Sequence, residues 1–174
     1  MATGIVVRTI APLVQSKASD PAVLVLDQRG KHVISLLSGH LGGANAMAEQ
    51  AAAYLGGEAV ITTATDVEHV PAFDLFAKEN HLTIENLEEL KYISGALVAG
   101  ESVSLCTAFP VEKNAFPPET VQIQPFSETP RHACAVAIAD TTESVAAPHV
   151  LYLRPKSLVL GVGCKKQIPP AHLE

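Results

Sequence analysis

Several things are scarce in this sequence. Tryptophan is absent and aromatic residues make up only 5% of the chain. The net charge is −6 and no basic stripe offsets it, Lys165-Lys166 being only a pair. Together these argue against a general nucleic-acid binder. No apolar run approaches the roughly 18 residues of a membrane-spanning helix, so no membrane span is expected. Arg8 and Pro12 interrupt the apolar residues near the start, which excludes a secretory signal there. The three cysteines, Cys106, Cys134 and Cys164, are far apart and odd in number, unlike a disulfide framework or a zinc site. They read as buried free thiols, and a reducing cytoplasm fits them best. The seven histidines show neither HxH nor HExxH spacing, so no protein-held metal is expected. No GxSxG elbow is present either. What remains is 48% hydrophobic and 17% charged over 174 residues, the balance of one or two small globular domains.

The chain is organised around residues 33–66, VISLLSGHLGGANAMAEQAAAYLGGEAVITTATD. Residues 33–37 have the composition and length of a strand. Ser38-Gly39-His40 interrupts it, Gly42-Gly43 follow, and from Ala44 the period becomes helical. The expected helix stripe is Ala44, Met47, Ala48, Ala51 and Leu55, with Asn45, Glu49 and Gln50 off it. Gly56-Gly57 end the helix, and residues 59–63 form a second strand. Strand, glycine loop, helix, strand is the building block of a parallel sheet.

The loop SGHLGGAN carries the chemistry. Its glycines permit close backbone approach, and the helix that follows offers unpaired N–H groups and a positive dipole end to an anion. Ser38, His40 and Asn45 add side chains that donate, accept or move protons. The second strand ends on the same sheet edge, so Thr62, Thr63, Thr65 and Asp66 face the same crevice in this reading. A packing role for the glycines stays open beside it, because short glycine motifs are weak signals.

The flanks are less informative. Residues 1–16 read as a helix capped by Thr3, with Ile5, Val6, Ile10, Leu13 and Val14 on one face. Arg8 lies off that face, either solvated or paired with a ligand carboxylate. Residues 22–27 and 33–37 form an antiparallel hairpin through Gln28-Arg29-Gly30-Lys31. Residues 71–80 read as a helix with Phe73, Phe76 and Ala77 inward and Asp74 on the surface. Residues 82–84 add an edge strand, and Asn86 caps a helix over 87–98. Strands are expected at 103–109, 121–124, 133–138, 149–153 and 157–164. His132 and His149 read as structural or surface residues. The architecture expected is α/β: a partial doubly wound, Rossmann-like, mostly parallel sheet over residues 1–84, a smaller α/β domain over 85–155, and the start of a further domain over 156–174. An incomplete N-terminal sheet would expose apolar surface and favour self-association.

The sequence is similar to the cobalt-precorrin-5A hydrolase family of anaerobic cobalamin biosynthesis, the protein G type. The likeness rests on ATGIVVRTIAP at 2–12, DPAVLVLD at 20–27, SLLSGHLGGAN at 35–45 and VITTATD at 60–66. Residues 87–155 match more weakly, and LVLGVGCKK at 158–166 looks like the opening of the family's C-terminal domain. The resemblance implies an interior piece of a longer enzyme, without the family's first strand–helix–strand segment and most of its last domain. It also implies a reaction: opening the δ-lactone of cobalt-precorrin-5A and releasing acetaldehyde to give cobalt-precorrin-5B. No separate cofactor is implied, because the cobalt belongs to the corrinoid substrate. In that setting His40 is the expected acid or base, Asp66 orients it or is itself the base, and Ser38 is the nucleophile of a less favoured covalent route. The N–H groups of Gly42 and Gly43 would form an oxyanion hole. Gly39, Asn45, Thr62, Thr63, Thr65 and Arg8 complete the expected substrate contacts. A corrinoid- or anion-binding fragment without turnover is the alternative.

Overall fold

The computed structural model describes residues 1–112 and 115–157. The strand expected at 157–164, Cys164 and the further domain expected from residue 156 lie wholly or almost wholly outside them. The described residues form two sheets.

The first sheet is built by β1 (Val23–Leu26), β2 (His32–Leu37) and β3 (Glu58–Val60), in that spatial order. β1 and β2 pair antiparallel as a hairpin, while β2 and β3 pair parallel. The hairpin turn is organised by Asp27, whose carboxylate accepts the backbone N–H groups of His32 (2.6 Å) and Arg29 (2.7 Å). Those bonds favour the ionised carboxylate and lower its pKa to about 2. Between β2 and β3 runs α2 (Ala44–Leu55), closed by Gly56 at φ 67°, the left-handed conformation that a helix C-cap requires. Its buried face is Ala44, Asn45, Ala48 and Ala52. The expected stripe is therefore rotated: Met47 and Leu55 are exposed and Asn45 is inside. Alanines at the contact bring the helix close to Val33 of β2, leaving no room on that side for Met47 or Leu55.

β3 is shorter than the 59–63 strand expected. Thr63 turns the chain and stands at the N-cap of α3 (Ala64–Val67). The N-terminal helix is also shorter. α1 (Thr3–Ile10) passes into a 3₁₀ turn, Ala11–Leu13, at Pro12, which has no N–H to continue the ladder. Thr3 is the first helical residue, and Ala2 occupies the N-cap.

The second sheet has the order β4 (Thr83–Ile84), β8 (His149–Arg154), β7 (Cys134–Ile138), β5 (Val103–Thr107), β6 (Val121–Pro125). Only the β4–β8 pair is antiparallel. Against it pack α4 (Phe73–Glu79) and α5 (Leu90–Val98), through Phe73, Ala77, Leu90, Ile93 and Leu97. The break expected at residue 84 thus falls inside this core: α4 and β4 belong to the second unit. Asn86 does not cap α5. Its amide bonds β8 instead, donating to Val150 O (2.7 Å) and accepting from Tyr152 N–H (2.8 Å), and a 3₁₀ turn at Leu87–Glu89 leads into the helix. Cys106 is buried as expected, whereas Cys134 is only half-buried, near Tyr92 O. His149 stacks on Tyr92 at 3.8 Å and bonds Glu89, a structural role.

No residue of α1 is buried, and Ile5, Val7, Leu13 and Val14 are exposed on it and the turn after it. On α2, Tyr54 is 90% exposed. Apolar surface of this kind favours association. The expected result is an apparent mass that rises with concentration in light scattering, and that falls back in a Leu13→Lys, Tyr54→Lys variant. A concentration-independent monomer would contradict it.

Candidate active site at the strand-to-helix turn

The turn after β2 is tight. Ser38 has φ 59° and Gly43 φ 86°. Gly42 packs so closely on Ser38 and on the backbone before β1 that any side chain would collide with Ser38 O at 2.7 Å. Glycine here serves close packing, one of the two roles left open by the sequence. The geometry lifts the ring of His40 to the edge of the sheet and buries it, 9% exposed.

Both ring nitrogens of His40 face carboxylates. Nε2 lies 2.8 Å from Asp66 Oδ2 and Nδ1 lies 3.0 Å from Asp74 Oδ1. A carboxylate at each nitrogen favours the doubly protonated ring. The hydrogen bond to Asp74 raises its pKa above the usual 6.5; burial opposes this, and the charges of Asp74 and Asp66 reinforce it. Asp74 is 3% exposed. Burial alone would raise its pKa, but the His40 bond and charge, helped by Lys17 and the Leu75 N–H, hold it below 3.8. Lys17 Nζ stands 3.6 Å from Asp74 Oδ2. Asp66, by contrast, is 37% exposed at its side chain. The result is a chain of groups, Asp74 inside, His40 in the middle, Asp66 at the surface.

Asn45 locks the outer end. Its Nδ2 donates to Asp66 Oδ2 and to Thr63 Oγ1, both at 3.0 Å, while its Oδ1 accepts Ser35 Oγ–H at 2.6 Å. A side chain at Gly39 would strike that amide. Thr65 is buried, and its hydroxyl has no partner among the described residues, a state that costs on the order of 1–3 kcal/mol. Thr62 is exposed and its side chain makes no hydrogen bond among the described residues. Arg8 is exposed on α1 and does not line either cavity beside His40.

Two expectations change. Ser38 Oγ donates to Asp20 O at 2.8 Å and has no bond to His40, so no serine–histidine pair forms. The oxyanion hole expected from the N–H groups of Gly42 and Gly43 also loses the Gly43 donor, and the N–H groups after it are occupied too. The N–H groups of Gly43, Ala44 and Asn45 are taken by the carbonyls of His40, Ser38 and Gly39, all at 3.1 Å. Lys78 Nζ covers the same turn from α4, 3.1 Å from Leu41 O. The positive groups beside the crevice are instead the imidazolium and Lys17. Asp74 was expected on the surface. On α4 it sits one position from Phe73 and four from Lys78, so it shares the face that meets the His40 turn.

The pair should mark the pH dependence of stability. A raised pKa at His40 gives stability that is complete below 6.5 and lost as pH rises through the folded value. A lowered pKa at Asp74 gives stability present above 3.8 and lost as pH falls through the folded value. The contribution is therefore greatest between those limits. Calorimetry should show the melting temperature rising as pH falls from about 8 to about 6, with the His40→Gln variant losing that slope. An unchanged slope in the variant would assign the effect elsewhere.

Among the described residues, no group of three or more His, Cys, Asp or Glu is placed to hold a metal, and no helix is long and apolar enough to cross a membrane.

The fold and site define an α/β protein that presents a carboxylate–histidine–carboxylate chain in the crevice beyond its parallel strand ends. The chain belongs to the cobalamin synthesis protein G family: the family's N-terminal region matches residues 1–66 and its central region residues 71–155. It is 39% identical over 177 residues to the cobalt-precorrin-5A hydrolase of Salmonella typhimurium, covering 97% of this chain and 49% of that protein. The Priestia megaterium protein of the same name is 36% identical over 184 residues, covering 98% and 49%. The chain thus spans about half the length of the curated relatives it matches. A solved cobalamin biosynthesis protein G homolog from Sulfolobus solfataricus shares the fold, with TM-score 0.51 and 24% identity over 89% of this chain and 43% of that one.

Proposed function

We propose that this chain supplies acid–base machinery for hydrolysis of cobalt-precorrin-5A, opening its δ-lactone and releasing acetaldehyde to leave cobalt-precorrin-5B. The observation that carries the reading is the Asp74–His40–Asp66 chain, with its outer carboxylate half-exposed and its inner one buried. The names of the relatives supply the substrate.

Asp66 is the base. Its carboxylate takes a proton from water, and the resulting hydroxide attacks the lactone carbonyl. With a carboxylate at each ring nitrogen, which favours its doubly protonated form, His40 serves as a positive charge and a proton donor rather than as the first acceptor. The tetrahedral oxyanion then collapses, the carbonyl–oxygen bond breaks, and the ring oxygen leaves with a proton returned from the His40–Asp66 pair. The freed hydroxyl next loses its proton to the same pair as the neighbouring carbon–carbon bond breaks. The two-carbon unit departs as acetaldehyde. The bonding electrons pass into the substrate's conjugated ring, where the cobalt it carries aids their acceptance, and the proton just taken by the His40–Asp66 pair is delivered to that carbon as a new carbon–hydrogen bond. Cytoplasmic location, a corrinoid substrate and self-association through the exposed apolar surface belong to the same reading.

A second reading is a corrinoid-binding piece without turnover. It is favoured by the capture of the helix-start N–H groups of Gly43, Ala44 and Asn45 by backbone carbonyls, which removes them as donors to an oxyanion. Incubation of the chain with cobalt-precorrin-5A separates the two. Substrate-dependent acetaldehyde supports hydrolysis, whereas corrinoid binding without acetaldehyde selects the second reading.

A further inference from the structure

The cavity of about 240 Å³ beside His40 has a wall that the chemistry above does not use. It lies between residues 63–65 of the first unit and α5 of the second. Lys17 reaches it from the loop before β1. That loop is held in shape by Asp20, whose carboxylate accepts the N–H groups of Gln15 and Ser16 at 3.1 Å. At 3.6 Å from Asp74 the Lys17 ammonium makes only a loose ion pair, and its side chain is 62% exposed. It therefore keeps N–H donors for another acceptor.

Thr65 lines the same cavity, 6% exposed, with a hydroxyl that no described residue satisfies. Buried hydroxyls normally have a partner, so this one marks a place where a ligand can supply it. Across the cavity is Gly95, in the interior of α5. Glycine is the poorest helix former after proline, yet a Cβ at this position would meet nothing within 4 Å. No packing contact among the described residues demands glycine there, and its missing side chain widens the cavity. Lys17 is the ammonium on this wall, and the two carboxylates nearby, Asp74 and Asp66, are both turned to the His40 ring, so the ammonium and the hydroxyl rather than an overall charge select the ligand.

We infer that this cavity binds a carboxylate group, held by the Lys17 ammonium and the Thr65 hydroxyl against the open face of α5. As the seat of a carboxylate arm on the hydrolysed substrate, it rests on the reading proposed above; as a carboxylate site it does not. The test is titration of the isotopically labelled chain with acetate, followed by amide NMR, with methylammonium chloride at equal ionic strength as the control.

The expected result is saturable shifts at Lys17, Thr65 and Gly95 with acetate alone. Lys17→Gln should weaken acetate binding about tenfold, as loss of a charge-assisted hydrogen bond does. Thr65→Val should weaken it severalfold while raising the melting temperature, because an unsatisfied buried hydroxyl is removed. Gly95→Leu should abolish it by filling the cavity, with a melting temperature no lower than the parent's. Absence of saturation, equal shifts with the control salt, or unchanged acetate affinity in Lys17→Gln and Thr65→Val would overturn the site. Acetate binding without acetaldehyde release would instead count against the hydrolase reading and leave the carboxylate site standing.

Discussion

Replacing Asp66 by Asn should lower acetaldehyde release by about 10²–10⁴-fold, the usual contribution of a positioned acid–base group. Corrinoid binding should change little. Asn keeps the shape of the side chain and can still meet Asn45 and His40, but it cannot take a proton from water. His40→Gln should also slow the reaction, because the charge between the two carboxylates is lost. If the groups work as one chain, the double variant costs little more than the more severe single change. The assay is single-turnover release at saturating cobalt-precorrin-5A. Parental rates in Asp66→Asn would remove it as the base and return that role to His40 or to a residue beyond this chain.

Asp74→Ala should have the largest effect on stability. It leaves a buried imidazolium with one of its two ionic partners, and breaking a buried pair from one side costs about 3–5 kcal/mol. Urea denaturation would read this as a lower midpoint at unchanged slope. Asp74→Asn should cost less, because a neutral His40 can still share a hydrogen bond with the amide. Combining Asp74→Asn with His40→Gln removes both charges and should recover part of the loss. A near-neutral Asp74→Ala would mean that Asp66 and water hold the ring without it.

The parts of the site within one continuous stretch were legible in the sequence. The period change at Ala44 located the strand-to-helix turn, and the VITTATD segment returned to the same edge, bringing His40, Asn45, Thr63 and Asp66 together. Helix α4 was legible as a helix, but its single apolar stripe suggested one buried face. It has two: Phe73 and Ala77 enter the second core, and Asp74 is sealed against the first unit. A polar residue buried by a neighbouring unit leaves no trace in periodicity. The available sign was Lys78, on the same face one turn later and bound to the His40 turn. The occupancy of the helix-start N–H groups leaves no sign in the sequence. Their capture by the carbonyls of Ser38, Gly39 and His40 depends on the positive φ at Ser38, which residue identity did not predict.

His40 and Asp66 belong to the first sheet, whereas Asp74 is carried by a helix whose apolar side is built into the second. Slow exchange of backbone amides at the turn is therefore set by the second unit as well. The N–H groups of Ala44 and Asn45, bonded inside the turn, should exchange on the schedule of α4 rather than that of the β1–β2 hairpin, because opening the turn breaks the buried His40–Asp74 bond to α4. The two sheets would then open as one cooperative unit at this seam and separately elsewhere.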